Sequence, residues 1–272
     1  MKIELHCHTT YSDGRLLPRE LHELAVKEGL SYLALTDHDS VKGHAEMEPL
    51  MKESGIRFIP GIELTTSKNG ESIHVLGYWN NDGYRNPDFL RKLDDLHEAR
   101  NERIIKFIRN LKIHFDLDID YDALRRLNKG VLTRANLAHA VHREVPHLSY
   151  NEAFTAYLDK DSPAYIPNIM LTVDEGLSLL KKYGATAVLA HPVIYKKNTL
   201  EDLLNHDFDG LECYYFLNQE EMTRKSLDLA RNRNLLVTAG SDYHGIIGDQ
   251  KHGYLGSMSF DPEILAPFLS LF

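Results

Sequence analysis

Short apolar runs, each meeting a histidine or carboxylate near its end and set apart by helical patterns, limit what this chain can fold into more than any other feature. Residues 3–13 read Ile-Glu-Leu-His6-Cys7-His8-Thr-Thr-Tyr-Ser-Asp13, an apolar run giving way to a loop. Strand side chains alternate between faces, so His6 and His8 share one side and Cys7 takes the other. Residues 32–36 run apolar into Asp37-His38-Asp39, and residues 56–60 lead into Gly61-Ile62-Glu63. Residues 72–79 alternate around His74, and residues 187–190 deliver His191. Residues 210–213 carry Glu212, and residues 235–239 deliver Gly240-Ser241-Asp242-Tyr243-His244.

Between these runs the apolar spacing turns helical. Pro18 near one start and Gly29 at its end frame a helix over residues 18–28, with Leu21, Leu24 and Ala25 inward. Further helices are predicted over 43–54, over 172–184 behind a Thr172/Glu175 capping box, and over 219–233. Residues 262–271 form an amphipathic stretch expected on the outside. From 80 to 167 strand-like runs vanish, and helices are predicted near 88–111, 133–142 and 151–158. The expected organisation is therefore a barrel from residues 1–79 and 168–272, with an inserted helical subdomain at 80–167 covering its site. About seven strands alternating with helices imply a largely parallel sheet. An open sheet gathers ligands at one switch point, whereas polar residues here end nearly every strand, so closure into a barrel is the better fit.

Composition narrows the function classes. The chain of 272 residues is 43% hydrophobic, enough for a sizeable core. No apolar run reaches the ~18 residues of a membrane span, and residues 1–13 lack the apolar core of a signal peptide, so a cytoplasmic protein is expected. Cys7 and Cys213, the two cysteines, sit in apolar runs and do not make a disulfide framework. A net charge of −9 argues against a protein that coats nucleic acid. Between Arg91 and Arg143, however, twelve Lys/Arg face eight Asp/Glu, a local +4 that leaves −13 for the remainder. A basic segment on an acidic body fits an anionic substrate; it equally fits a solvated helix face.

The donors gathered at strand ends are His6, His8, Asp13, His38, Glu63, His74, His191, Asp242 and His244, too many for one ion. A His-x-His pair alone is as often two satisfied core histidines, but nine donors in this pattern suit two or three divalent ions. With no thiolate among them, Zn, Mn or Fe is favoured. The motifs His6-Cys-His8-Thr-Thr-Tyr-Ser-Asp13, Thr36-Asp37-His38-Asp39, Gly61-Ile-Glu63, His74-Val-Leu-Gly-Tyr, Ala190-His191-Pro192 and Gly240-Ser-Asp242-Tyr-His244 resemble the polymerase and histidinol phosphatase (PHP) superfamily of metal-dependent phosphoesterases. The resemblance implies a distorted (β/α)7 TIM-like barrel with a trinuclear site. By that likeness His6, His8, Glu63 and Asp242 hold one ion, and Asp13, His38 and His244 a second. Glu63 bridges to a third ion completed by His74 and His191.

Weaker likeness over Leu132-Thr-Arg134-Ala-Asn-Leu-Ala, residues 151–158 and Pro163-Ala-Tyr165-Ile-Pro167 points to the group acting on nucleoside 3′,5′-bisphosphates and the 5′ ends of short RNA. Where that group has Gly-Arg-Pro-His, this chain has Thr133-Arg134-Ala135-Asn136, so the arginine matches and the histidine does not. The reaction expected is phosphomonoester hydrolysis by a metal-bridging hydroxide, with Asp13 at the centre and His191 or Asp39 as proton donor to the leaving group. Arg134, Arg100 and Arg143 are the candidate phosphate-binding residues. Arg100 falls on the apolar stripe of its helix, where an arginine must find an anion or snorkel. A small phosphorylated nucleotide or short RNA is the expected partner, with no membrane and no obligate protein partner. A histidinol-phosphate-type phosphatase and a non-catalytic PHP module binding a partner are the alternatives. Glu212 is expected to support a ligand, and the remaining histidines, His252 among them, to serve surface or capping roles.

Overall fold

The computed structural model describes residues 1–127, 132–167 and 170–272. They form two compact units, Met1–Leu90 with Met170–Phe272, and Arg91–Ile169. The expected re-entry into the barrel at position 168 lies outside the described residues.

The first unit carries β1 (Lys2–Glu4), α1 (Pro18–Glu28), β2 (Leu30–Leu35), α2 (His44–Ser54), β3 (Arg57–Lys68) and β4 (Glu71–Tyr78). The helix α3 (Pro87–Phe115) begins in this unit and continues into the second, where α4 (Tyr121–Leu127), α5 (Arg134–Glu144) and α6 (Tyr150–Leu158) follow. The first unit resumes with β5 (Leu171–Thr172), α7 (Val173–Lys182), β6 (Thr186–Leu189), α8 (Leu200–Leu203), β7 (Gly210–Tyr215), α9 (Glu220–Asn232), β8 (Leu236–Gly240) and α10 (Pro262–Leu269). Local chemistry explains several boundaries. Pro18 opens α1, Gly29 closes it in the left-handed conformation, and Thr172 caps α7 through the backbone amide of Glu175.

The strands lie in the order β1-β2-β3-β4-β6-β7-β8, with β5 added along β3. The ends of this sheet meet, because Leu5 N donates to the Ala239 carbonyl at 3.3 Å and His8 N to that of Tyr243 at 2.9 Å. The result is a nearly closed, distorted barrel. Its distortion is β4, antiparallel to both β3 and β6, where the alternating pattern predicts parallel strands. Asn69-Gly70, both at positive φ, turn β3 directly back into β4 with no helix between. An Asn-Gly pair between two alternating runs is the strongest short-range signal of a hairpin. Consequently Glu63 and His74 lie within long strands rather than at strand ends.

Ile3, Leu5, Ala34, Ile59, Leu76, Tyr78, Val188, Ala190 and Ala239 form one buried cluster drawn from six strands, which is the barrel interior. Leu265 and Phe268 of α10 belong to the same cluster, and the Phe268 ring meets that of Tyr78 at 5.0 Å. The last helix therefore seals the interior at the end where the parallel strands begin, instead of packing on the outside. Leu33, Leu35, Met47 and Met51 fill the layer between the sheet and its outer helices. In the second unit Phe107, Leu111, Leu137, Val141 and Leu158 make a separate core. Among the described residues no helix is long and apolar enough to cross a membrane.

Candidate metal centre

The side chains of interest stand where the parallel strands finish, on segments fixed by buried carboxylates. Glu4 accepts from the backbone of His6, Ser241 and Gly256 and from the Ser241 hydroxyl, tying the two ends of the sheet together. Asp37 accepts from Thr9 N, Thr9 Oγ1 and Ser12 Oγ at 2.6–2.7 Å, which shapes the loop running from His8 to Asp13. Asp39 accepts from the amide and hydroxyl of Thr65, both at 2.8 Å. Asp39, His191 and Asp242 all adopt positive φ, an unfavourable conformation for residues with a Cβ. Such strain persists where the surroundings over-determine it, as they do at sites that must hold a side chain in one place.

Glu63 is the hub. Its Oε2 lies 3.1 Å from His6 Nε2, 3.1 Å from His8 Nε2 and 3.2 Å from His38 Nδ1. Its Oε1 lies 2.7 Å from His74 Nδ1 and 2.8 Å from His191 Nε2. Asp242 Oδ1 approaches His8 Nε2 at 3.0 Å and His6 Nε2 at 3.3 Å. Asp13 completes the mouth side, 3.2 Å from His244 Nε2 and 3.7 Å from both His38 Nε2 and His8 Nδ1. All nine expected donors thus come together. Eight of them fall into overlapping groups: His6, His8, Glu63 and Asp242; His8, Asp13, His38 and His244; and His38, Glu63 and His74, while His191 reaches the cluster through Glu63 Oε1.

His74 and His191 are hydrogen-bonded to Glu63 Oε1, whereas other atoms of the cluster are close without a hydrogen bond. His6 Nε2, His8 Nε2, His38 Nδ1, Glu63 Oε2 and Asp242 Oδ1 are buried and lack a hydrogen-bond partner. A buried polar atom with no partner costs roughly 1–3 kcal/mol, so several lone pairs converging in this way fit cations. The electrostatics agree. Burial opposes a charge on His8, yet Asp242 and Glu63 push its imidazole up to about 10. Burial likewise opposes ionisation of Glu63, but the surrounding histidines hold it well below the carboxylate range. Burial keeps His38 down at about 4 against the pull of Glu63 and Asp13. The donors are all nitrogen and oxygen, and Cys7 Sγ points away to donate to the Ala34 carbonyl at 3.1 Å.

Glu212 orients the cluster from behind. Its Oε1 is 3.0 Å from His6 Nδ1 and its Oε2 accepts from His191 N at 2.8 Å. A carboxylate at that position accepts from the Nδ1 side, so with a cation bound His6 would turn the lone pair of Nε2 to the centre. The Tyr215 hydroxyl donates to Asp242 Oδ2 at 3.2 Å. One histidine expected at the surface belongs here as well: His252 stacks on His244 with ring centres 4.1 Å apart. No His-x-His spacing marks it; the available signal was Asp249 three positions earlier.

The arginine candidates all lie in the second unit. Arg134 sits over the Phe154 and Tyr165 rings, at 5.4 and 5.7 Å, and donates to the Leu158 carbonyl at 3.4 Å. Arg100 is half-buried, and Arg143 is exposed near the end of α5. Arg103, one turn beyond Arg100 and not foreseen, packs over Phe107 and donates to the Ile166 carbonyl. Burial, with Arg134 and Arg100 nearby, pulls it down to about 10.

Comparison with known proteins adds a family. A model described as PHP domain matches residues 4–216. A 5′-3′ exoribonuclease of Haemophilus influenzae is 29% identical over 252 residues, covering 89% of this chain and 90% of its own. A 3′,5′-nucleoside bisphosphate phosphatase of Chromobacterium violaceum is 27% identical, with 89% and 87% covered. A solved structure classed as a metal-dependent phosphoesterase, from Bifidobacterium adolescentis, superposes with a TM-score of 0.77 at 27% identity, over 99% of this chain and 96% of that one.

Proposed function

The chain belongs to the PHP domain family, and on that premise we propose that it is a metal-dependent phosphoesterase hydrolysing phosphate monoesters of small nucleotides, either a nucleoside 3′,5′-bisphosphate or a short 5′-phosphorylated oligoribonucleotide. The observation that carries the reading is the convergence of five histidines on the two oxygens of Glu63, within 2.7–3.2 Å. Two relatives whose names specify nucleotide or RNA substrates support the substrate class.

We assign His6, His8, Glu63 and Asp242 to one divalent ion, and Asp13, His38 and His244, beside His8, to a second. His74 and His191 serve the Oε1 side of Glu63. Divalent ions held there would supply activated water at neutral pH and neutralise charge on the phosphoryl oxygens. The protein's share is orientation. Glu212 fixes His6 and the His191 backbone, Glu4 joins β1 to the segment after β8, and Asp37 shapes the loop that presents Asp13. Asp13, with 55% of its side chain exposed, is the donor open to an arriving substrate. Asp39 is committed to Thr65 at both oxygens and His191 Nε2 to Glu63, so we assign both to holding the site rather than to proton transfer. For recognition of a second phosphate we propose Arg134 and Arg100, with Arg143 as the exposed third.

Release of inorganic phosphate by Mn²⁺- or Zn²⁺-reconstituted protein tests the reading. Nucleoside 3′,5′-bisphosphate, short 5′-phosphorylated RNA and histidinol phosphate are compared at equal concentration. Turnover should favour the first two. Activity confined to histidinol phosphate would sink the substrate assignment while leaving the chemistry intact.

A further inference from the structure

Beyond the nine donors, the loop after β8 holds a tenth imidazole in the posture of a ligand. Asp249 is 15% exposed at its side chain, and its Oδ2 lies 2.7 Å from His252 Nδ1. Asp249 Oδ1 accepts from the backbone amides of Lys251 and His252, at 2.8 and 3.3 Å, so the carboxylate is itself held in place. An ionised carboxylate must accept, which puts the imidazole proton on Nδ1 and directs the lone pair to Nε2. That nitrogen faces the centre, 3.9 Å from Asp242 Oδ2, with the His252 ring against His244 at an interplanar angle of 26°. Asp242, His244 and His252 each offer a ligand atom within 4.8 Å of the others.

We propose that His252 is a metal-binding residue of this chain, oriented by Asp249, and that with Asp242 and His244 it forms an alternative seat, on the outer flank of the centre, for the divalent ion assigned above to His244. The pairing of a carboxylate with the far nitrogen of a ligating histidine is the usual way a protein fixes the tautomer and raises the basicity of such a ligand. The donor set of two imidazoles and a carboxylate suits Zn²⁺ or Mn²⁺. The inference rests on the metal-centre reading given above, and it adds a residue to that centre.

The test labels the intact wild-type chain. Diethylpyrocarbonate reacts with the unprotonated, accessible nitrogen of an imidazole, and His252 retains 23% of its side-chain exposure. Peptide mass spectrometry then follows His252 labelling in chelator-treated protein and in protein loaded with Zn²⁺. Labelling should slow by on the order of tenfold or more on loading. In parallel, Zn²⁺ titration of Asp249→Asn should show at least one ion held about 10–100-fold more weakly, and His252→Ala should lose affinity for the same ion. Equal labelling of His252 in apo and loaded protein overturns the proposal, and if that protein still binds metal the function reading is untouched. A chain that takes up no metal overturns both.

Discussion

Glu63 shows how one carboxylate organises a site: five histidine nitrogens surround it, and protons could satisfy every contact only by charging several buried imidazoles at once, whereas cations satisfy them with neutral rings. This has a measurable consequence at His8. In metal-free protein its neighbours push it up to about 10, so at neutral pH it carries a proton that an arriving cation must displace. Metal affinity should therefore rise with pH across the window from 7 to 10. Titration of apo-protein in buffers of different ionisation enthalpy should detect release of at least one proton, and binding without proton release would contradict the charge state assigned to His8. Glu212 acts one step further out, through His6 Nδ1. Glu212→Gln should weaken metal binding by about 10–100-fold while leaving the ligands in place, as read by Zn²⁺ affinity. Unaltered affinity would reduce Glu212 to a structural residue. The convergence of these donors was legible in the sequence because His-x-His and Asp-x-His at strand ends put two donors on one face. His252 was not, because its partnership with His244 spans a loop whose path no periodicity encodes.

At the scale of elements, the site depends on how closely β8 and the segment after β1 can approach. A Cβ on Gly240 would lie 2.2 Å from His6 Cβ and 2.6 Å from Glu212 Oε1. Gly240→Ala therefore cannot be accommodated without shifting His6 or its supporting carboxylate. Overpacking of this kind costs typically about 1–3 kcal/mol, and metal affinity should fall together with the melting temperature. A variant that lost stability but bound metal as tightly as the parent would show that β8 can move without His6. The element least well read from sequence was the β3–β4 hairpin. Alternation of strands and helices predicts parallel neighbours, and the long β3 was divided at Glu63 because a carboxylate there resembled the other strand ends. The Asn69-Gly70 turn overrides that reading. By folding β4 directly back along β3, it brings His74 onto Glu63 within the sheet itself, with no help from a loop.

At the scale of the whole molecule, a barrel unit carries the donors and a helical unit carries the basic segment. The barrel was legible because ligand types ending successive strands make chemical sense only if those ends share one mouth. The sealing role of α10 was not, since an amphipathic helix reads alike whether its apolar face covers a sheet or plugs a barrel end. If the second unit recognises phosphate as proposed, Arg134→Ala should lower kcat/KM for a nucleoside 3′,5′-bisphosphate by on the order of tenfold or more, with less effect on a 5′-monophosphate, as expected on losing a guanidinium–phosphate contact. Equal losses on both substrates would point to a packing role against Phe154 and Tyr165. The account as a whole stands on cations being seated around Glu63, and anomalous diffraction from crystals grown with Mn²⁺ measures that directly. At least two anomalous peaks should appear, one among His6, His8 and Asp242 and one beside Asp13, His38 and His244, with Glu63 oxygens among the bonded atoms. No peak within bonding distance of Glu63 in metal-replete crystals would contradict the account.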